Sequence, residues 1–241
     1  MSKSIVLGRR SLIGAAAVCG LVPGPLALAP LAMADERPQG KGTKAEAEAP
    51  VTPTEDLMRE HGVLRRILLI YEAGARRLGQ GEDMESIVFV QTAETMRDFI
   101  HNYHEKLEED HLFPIFKKAG RMVQLVDVLL TQHAAGRKLT DRILQLAPTA
   151  PNNSDQRKAM IEAMQASIVL YRPHAAREDT DLFPTLRHLV TPNQFDALGE
   201  TFEQEENAKF GGDGFEKAAK KIEQIEKKIG INDLSQYTPK I

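Results

Sequence analysis

The 241-residue chain contains no tryptophan and a single cysteine, and aromatic residues make up only 5% of it. The one thiol, Cys19, lies in an N-terminal stretch that reads as a removable export signal, so the mature chain is expected to carry none. That excludes disulfides, iron–sulfur clusters and cysteine-ligated zinc, and leaves nitrogen and oxygen as the only metal donors. Excess positive charge is missing too. The formal net charge is −3, and because Lys3, Arg9 and Arg10 are the only charges in the first 34 residues, the rest is more acidic still. An acidic body offers no surface that steers a polyanion, so nucleic acid is excluded as a partner.

The N-terminus is organised as a leader. Arg9-Arg10-Ser11 precedes an apolar run to Leu28, and Ala32-Met33-Ala34 forms a small-residue cleavage site before Asp35. The paired arginines resemble the twin-arginine signal, which exports proteins already folded. An ordinary secretory signal is the alternative. Either reading makes 1–34 an export segment and the mature protein periplasmic or secreted, with no membrane partner after cleavage. Residues 35–51, rich in Pro, Gly, Lys, Glu and Ala without apolar periodicity, read as a flexible linker.

From Thr52 onward the pattern is helical. Thr52-Pro53-Thr54-Glu55 is a capping box with proline at the first helical position, and Leu57, His61, Leu64, Leu68, Tyr71, Ala75 and Leu78 follow on one face. A second helix is predicted from about Glu85 beyond Phe116, with Phe89, Ala93, Ile100, His104, Glu108 and Leu112 in its stripe. A third, about Arg121 to Leu146, carries Met122, Val126, Leu129, His133, Gly136 and Ile143. A fourth begins near Ser154 and presents Met164, Ile168, Tyr171, His174, Glu178 and Leu182, with a kink expected at Pro173. Short links between four long helices imply an all-α, antiparallel up-down four-helix bundle over 52–190. Thr191-Pro192-Asn193-Gln194 opens a C-terminal helical extension, 191–241, expected to pack across the bundle or to lie exposed.

An internal repeat carries the chemistry. One copy reads His61, then His104-x-x-x-Glu108, then Leu112-Phe113-Pro114; the other reads His133, then His174-x-x-x-Glu178, then Leu182-Phe183-Pro184. An arginine follows each lone histidine by four, at Arg65 and Arg137. Residues four apart share a helix face about 6 Å apart along the axis, so each His/Glu pair can converge on one centre. Four imidazoles and two carboxylates are too many for one tetrahedral zinc and suit two octahedral metals.

This pattern resembles the hemerythrin-like, HHE cation-binding proteins over about residues 52–190. The resemblance implies a four-helix bundle with two non-haem irons held by His61, His104, Glu108, His133, His174 and Glu178, with Glu108 and Glu178 bridging; manganese or zinc is a weaker alternative. It also implies a diatomic or peroxide ligand and an electron donor. Oxygen-carrying hemerythrins add a second histidine one turn after the third-helix ligand and end on aspartate, whereas Arg137 and Glu178 stand here. One imidazole fewer points to a site that reacts with oxygen, peroxide or nitric oxide instead of carrying oxygen reversibly. A sensor or metal store without turnover is the alternative. The ferritin-like oxidases use a different order, Glu-x-x-His.

Among the remaining residues, His101, His111 and His188 have no partner in the other copy and read as peripheral. His111 is placed to reach the rim, and Glu105 ranks below the six as a ligand. Tyr171, one turn before His174, is read most simply as core packing, with a hydrogen-bond donor or a redox-active phenol as the alternatives. Phe113 and Phe183 are expected to close the apolar end, and Arg65-Arg66 and Arg76-Arg77 read most simply as a solvated face.

Overall fold

A computed structural model describes residues 51–241; the expected export signal and all but the last residue of the expected linker lie outside the described residues. The described chain is all-helical, with no strand among these residues. None of its helices is long and apolar enough to cross a membrane.

Helix α1, Pro53–Gly79, starts at the capping box read in the sequence. The Thr52 side chain accepts from the Glu55 amide, and Glu55 Oε2 accepts the Thr52 amide at 2.9 Å. Its whole expected stripe from Leu57 to Leu78 is buried. Each such aliphatic side chain contributes about 1.5–3 kcal/mol by leaving water, which is what holds a helix this long on its neighbours.

Helix α2 runs without a break over 86–119, yet it is not uniformly α. Ser86–Thr95, Glu105–Leu107 and Phe113–Ala119 are α-helical, whereas Met96–His104 and Glu108–Leu112 are π-helical. Helix α4 repeats the second of these changes: α over Ser154–Arg177, π over Glu178–Leu182, then α over Phe183–Leu186. The cause is local. Pro114 and Pro184 have no N–H and their rings press on the preceding turn, so the chain widens there. The amides of Phe113 and Phe183 instead reach back five residues, to the carbonyls of Glu108 and Glu178. The Leu-Phe-Pro triplet thus has a structural signature, a wide turn that begins at each glutamate. Pro173, where the sequence predicts a kink, lies inside the α-helical stretch of α4.

Helix α3, Val123–Leu146, begins two residues later than expected, because Gly120 and Met122 both adopt left-handed backbone conformations, φ 63° and 53°. It packs on α4 and α2, while α1 also packs on α4 and α2. Two further helices follow, α5 (Pro192–Phe210), opened by the second capping box, and α6 (Gly214–Lys228). Helix α6 lies against α1 and α2 and buries Ala218, Ile222 and Ile225. Arg66 fastens it. Its Nε donates to both oxygens of Glu226, at 3.0 and 3.2 Å, so Arg66 belongs to a packing contact and not to a solvated face.

Gly74 faces Phe89 so closely that a β-carbon there would sit 2.5 Å from the ring. Phe89 is fully buried and has no room to retreat. Gly74→Ala is therefore expected to lower stability by about 1–2 kcal/mol, since overpacking outweighs the helix-propensity gain. Thermal unfolding measures it; an unchanged or raised midpoint would count against this packing.

Candidate metal centre

The six repeat residues meet. His61, His104, His133, His174, Glu108 and Glu178 come from α1, α2, α3 and α4, and each is 3% exposed or less. Their donor atoms form two overlapping groups, His61, His104 and Glu108, and Glu108, His133, His174 and Glu178, with all atoms of a group within 4.8 Å of one another. Glu178 Oε2 lies 3.3 Å from His61 Nε2 and 3.1 Å from His174 Nε2. Glu108 faces both ways with different oxygens: Oε1 is 3.7 Å from His104 Nε2, and Oε2 is 3.4 Å from His133 Nε2.

Most of these inward atoms approach without a hydrogen bond, His133 Nε2 and His174 Nε2 excepted. His61 Nε2, His104 Nε2 and all four oxygens of Glu108 and Glu178 are buried and have no hydrogen-bond partner among the described residues. The Nε2 atoms of His133 and His174 face each other at 3.3 Å. Outward, by contrast, every imidazole is tied down. Nδ1 of His61 donates to Asp179 at 2.7 Å, that of His104 to Glu60 at 2.8 Å, that of His133 to Glu109 at 3.0 Å and that of His174 to Gln132 at 2.9 Å. With an Nδ1 proton donated outward, each imidazole in its neutral form turns the Nε2 lone pair inward, the tautomer that a metal requires. Two donors held about 2.1 Å from one ion at right angles stand about 3 Å apart, close to the spacings seen. Unpaired buried acceptors packed against one another are costly alone and favourable around a cation, so the residues present fit a metal.

The outward ties repeat as well. Arg65, four after His61, is ion-paired with Asp179, and Arg137, four after His133, holds Glu109 at 2.6 Å. Each lone histidine is thus backed by a carboxylate that its own arginine clamps. The arginines at +4 are visible in the sequence; Arg65 is exposed, as expected of a solvated face, and from there it also pairs with Asp179. Nothing in the sequence singles out Glu60, Gln132, Glu109 and Asp179, although each sits one residue from a repeat residue. Phe183 stacks on His61 and Phe113 on His133, both at 5.6 Å between ring centres, so these rings wall the centre itself.

Of the other candidates, His111 turns away to Glu205 on α5, 2.6 Å distant, and His188 is exposed. His101 and Glu105 are buried beside the centre. Glu105 Oε1 accepts from Tyr171 Oη and from His101 Nδ1, both at 2.9 Å, and Glu105 Oε2 is ion-paired with Arg137 at 2.9 Å. Gly136 makes this possible: a β-carbon there would lie 1.8 Å from the Tyr171 hydroxyl. In the repeat Glu105 corresponds to Ala175, and Ala175 lines, with Arg65, Leu68, Leu69, Tyr171 and Arg172, a cavity of about 250 Å³.

The chain matches the hemerythrin HHE cation binding domain over residues 52–186. It belongs to that family. Three uncharacterized proteins, one from Mycobacterium bovis and two from strains of Mycobacterium tuberculosis, are 44% identical to it over 238 residues, covering 97% of this chain and 91% of theirs. No solved structure matches it significantly. The HHE cluster of this chain is thus a set of buried His and Glu side chains able to hold a metal cation.

Electrostatics of the HHE cluster follow from six buried groups sharing one space. Burial pushes the His61 imidazole down, but Asp179, Glu178 and Glu108 reverse this and raise it to about 9. Burial opposes protonation of His133 also, and Glu108, Glu109 and Glu105 raise it to about 10. His104 is driven well below its usual range by burial and by the neighbouring imidazoles. Glu108 is pushed up to about 7 by burial and the charge of Glu178, whereas Glu178, against its burial, is held far down by His174 and His61. Without a metal the cluster takes up protons in its place. A raised histidine stabilises the fold fully below its ordinary 6.5 and loses that contribution as pH climbs through the raised value. Chelator-treated protein should therefore melt at a lower temperature at pH 10 than at pH 6.5. Metal-loaded protein should instead lose its metal on acidification, because protons compete for the same nitrogens. A metal-free melting temperature that stays flat or rises from pH 6.5 to 10 would contradict these assignments.

Proposed function

We propose that His61, His104, Glu108, His133, His174 and Glu178 hold two non-haem iron ions, bridged by Glu108 and Glu178, at the centre of an antiparallel up-down four-helix bundle formed by α1 to α4. The protein on this reading binds or reduces small oxidants, namely oxygen, peroxide or nitric oxide, in the periplasm after export through its paired-arginine leader.

One observation supports the two-ion reading above others: each glutamate approaches a histidine of both halves, Glu178 those of α1 and α4, Glu108 those of α2 and α3. A single ion would leave one imidazole pair unserved. Four nitrogens and two carboxylates without thiolate suit iron or manganese better than tetrahedral zinc. When bound, a pair of irons supplies one-electron steps between ferrous and ferric states and a position for a small ligand.

The protein's own side chains supply the rest. Asp179, Glu60, Glu109 and Gln132 orient the four imidazoles, and Phe113 and Phe183 keep water from two of them. The Tyr171 hydroxyl holds its proton, its ionisation disfavoured by burial and by the adjacent Glu105. The cavity beside Ala175 and Tyr171 is the approach we assign to the small ligand, since on the opposite face Glu105 fills the equivalent place.

Elemental analysis and the visible spectrum of the mature protein test this reading. About two irons per chain with ferric charge-transfer bands that shift on adding azide are expected, and His61→Ala or Glu178→Gln should cut the iron by half or more. Zinc, no metal, or variants with unchanged iron would overturn it. Replacing Arg9 and Arg10 with lysines should strand the folded protein inside the cell; continued export would remove the twin-arginine route.

A further inference from the structure

The two halves of the centre share one pattern through the repeat, so the places where they depart from it are informative. Each lone histidine has the same brace, Asp179 with Arg65 behind His61 and Glu109 with Arg137 behind His133. Each also stacks on the phenylalanine of a Leu-Phe-Pro triplet. The paired histidines differ. His104 Nδ1 donates to the carboxylate of Glu60, 2.8 Å away, and His174 Nδ1 to the amide oxygen of Gln132, 2.9 Å away. Glu60 and Gln132 occupy equivalent places, each one residue before a lone histidine.

We infer that the His61/His104 half binds its metal ion more tightly than the His133/His174 half, so that the centre fills in order and its second ion is the exchangeable one. This deepens the two-ion reading and rests on it. A carboxylate that accepts the Nδ1 proton makes the imidazole more basic at Nε2, whereas a neutral amide orients the ring without that push. Glu60 is completely buried, so water does not screen its charge. Changes in such outer hydrogen bonds typically alter metal affinity about 10–100-fold. The first half therefore rests on two carboxylates, Asp179 and Glu60, and the second on one carboxylate and one amide.

Glu105 works in the opposite direction, since it brings a further negative charge beside His133 and its counterpart is Ala175. Its oxygens, however, are engaged by Tyr171, His101 and Arg137, and no bond joins it to the Nδ1 of a centre histidine. Its influence on the metal is thus exerted through space and offset by the adjacent guanidinium, while that of Glu60 passes directly through a ligand ring.

Cobalt(II) titration of the metal-free mature protein, followed by visible absorption and calorimetry, tests this. Wild type should bind two ions in two steps about 10-fold or more apart. His104→Ala should remove the tighter step and His174→Ala the weaker. Glu60→Gln, which keeps shape and one acceptor, should weaken the first step about 10–100-fold and bring the two together, and Gln132→Glu should strengthen the second. The double variant Glu60→Gln/Gln132→Glu should reverse the order, so that His174→Ala now removes the tighter step, which a merely structural role for Glu60 would not produce. Two equal steps in wild type, or a first step untouched by Glu60→Gln, would overturn the inference. Wild type that takes up fewer than two cobalt ions would instead overturn the two-ion reading on which it stands.

Discussion

Burying four imidazoles and two carboxylates with their acceptor atoms turned toward one another is the constraint on which the rest of this structure depends. In an apolar interior such an arrangement is unfavourable by several kcal/mol unless a cation or protons neutralise it. The protein meets the constraint in one direction only. Outward-facing Nδ1 atoms are all bonded, to Asp179, Glu60, Glu109 and Gln132, while the inward oxygens of Glu108 and Glu178 have no hydrogen-bond partner among the described residues. A polar cluster that had evolved simply to be satisfied would close on itself. This one is closed at the back and open at the centre, the pattern of a site built for an ion.

The helices are shaped around that requirement. The three α-helical residues Glu105–Leu107 between His104 and Glu108, and the end of the α-helical stretch Ser154–Arg177 between His174 and Glu178, keep each pair on one face. Immediately afterwards the chain changes to π geometry, forced by the prolines of the Leu-Phe-Pro triplets, and the phenylalanines that follow swing onto the rings of His133 and His61. The proline that looks like a break is thus what brings an apolar wall to the metal-facing side. It also explains why the triplet recurs at the same distance from each glutamate.

Much of this was legible in the chain. The helices, both capping boxes and the six centre residues follow from apolar periodicity and from the repeat, because these depend on residues close in sequence. The outer hydrogen-bond partners did not follow, for a physical reason: Asp179 reaches His61 from 118 residues away and Glu60 reaches His104 from 44, and which charged neighbour turns inward is decided by how two helices face each other. Arg65 and Arg66 show the same limit. Adjacent in sequence, they point in different directions from α1, one toward Asp179 and one toward Glu226 on α6. The π segments are hidden because their stripes remain apolar; a proline marks Glu108–Leu112 and Glu178–Leu182, and nothing in the sequence marks Met96–His104. His111, by contrast, had the right spacing from His104 and turned to α5 instead, where Glu205 offered a closer partner.

Membership of the HHE cation-binding family and the buried cluster point the same way: a cation is the element that the fold is built to hold. The most direct measurement is the thermal unfolding of the purified protein before and after removal of metal by a chelator at pH 7, with metal added back. If a cation neutralises the cluster, its binding energy adds to folding energy, and chelation should lower the midpoint by about 5–15 °C, with recovery on adding back iron(II). A midpoint unmoved by removal and return of metal would mean that the six side chains are held together by protons alone, and would contradict the account.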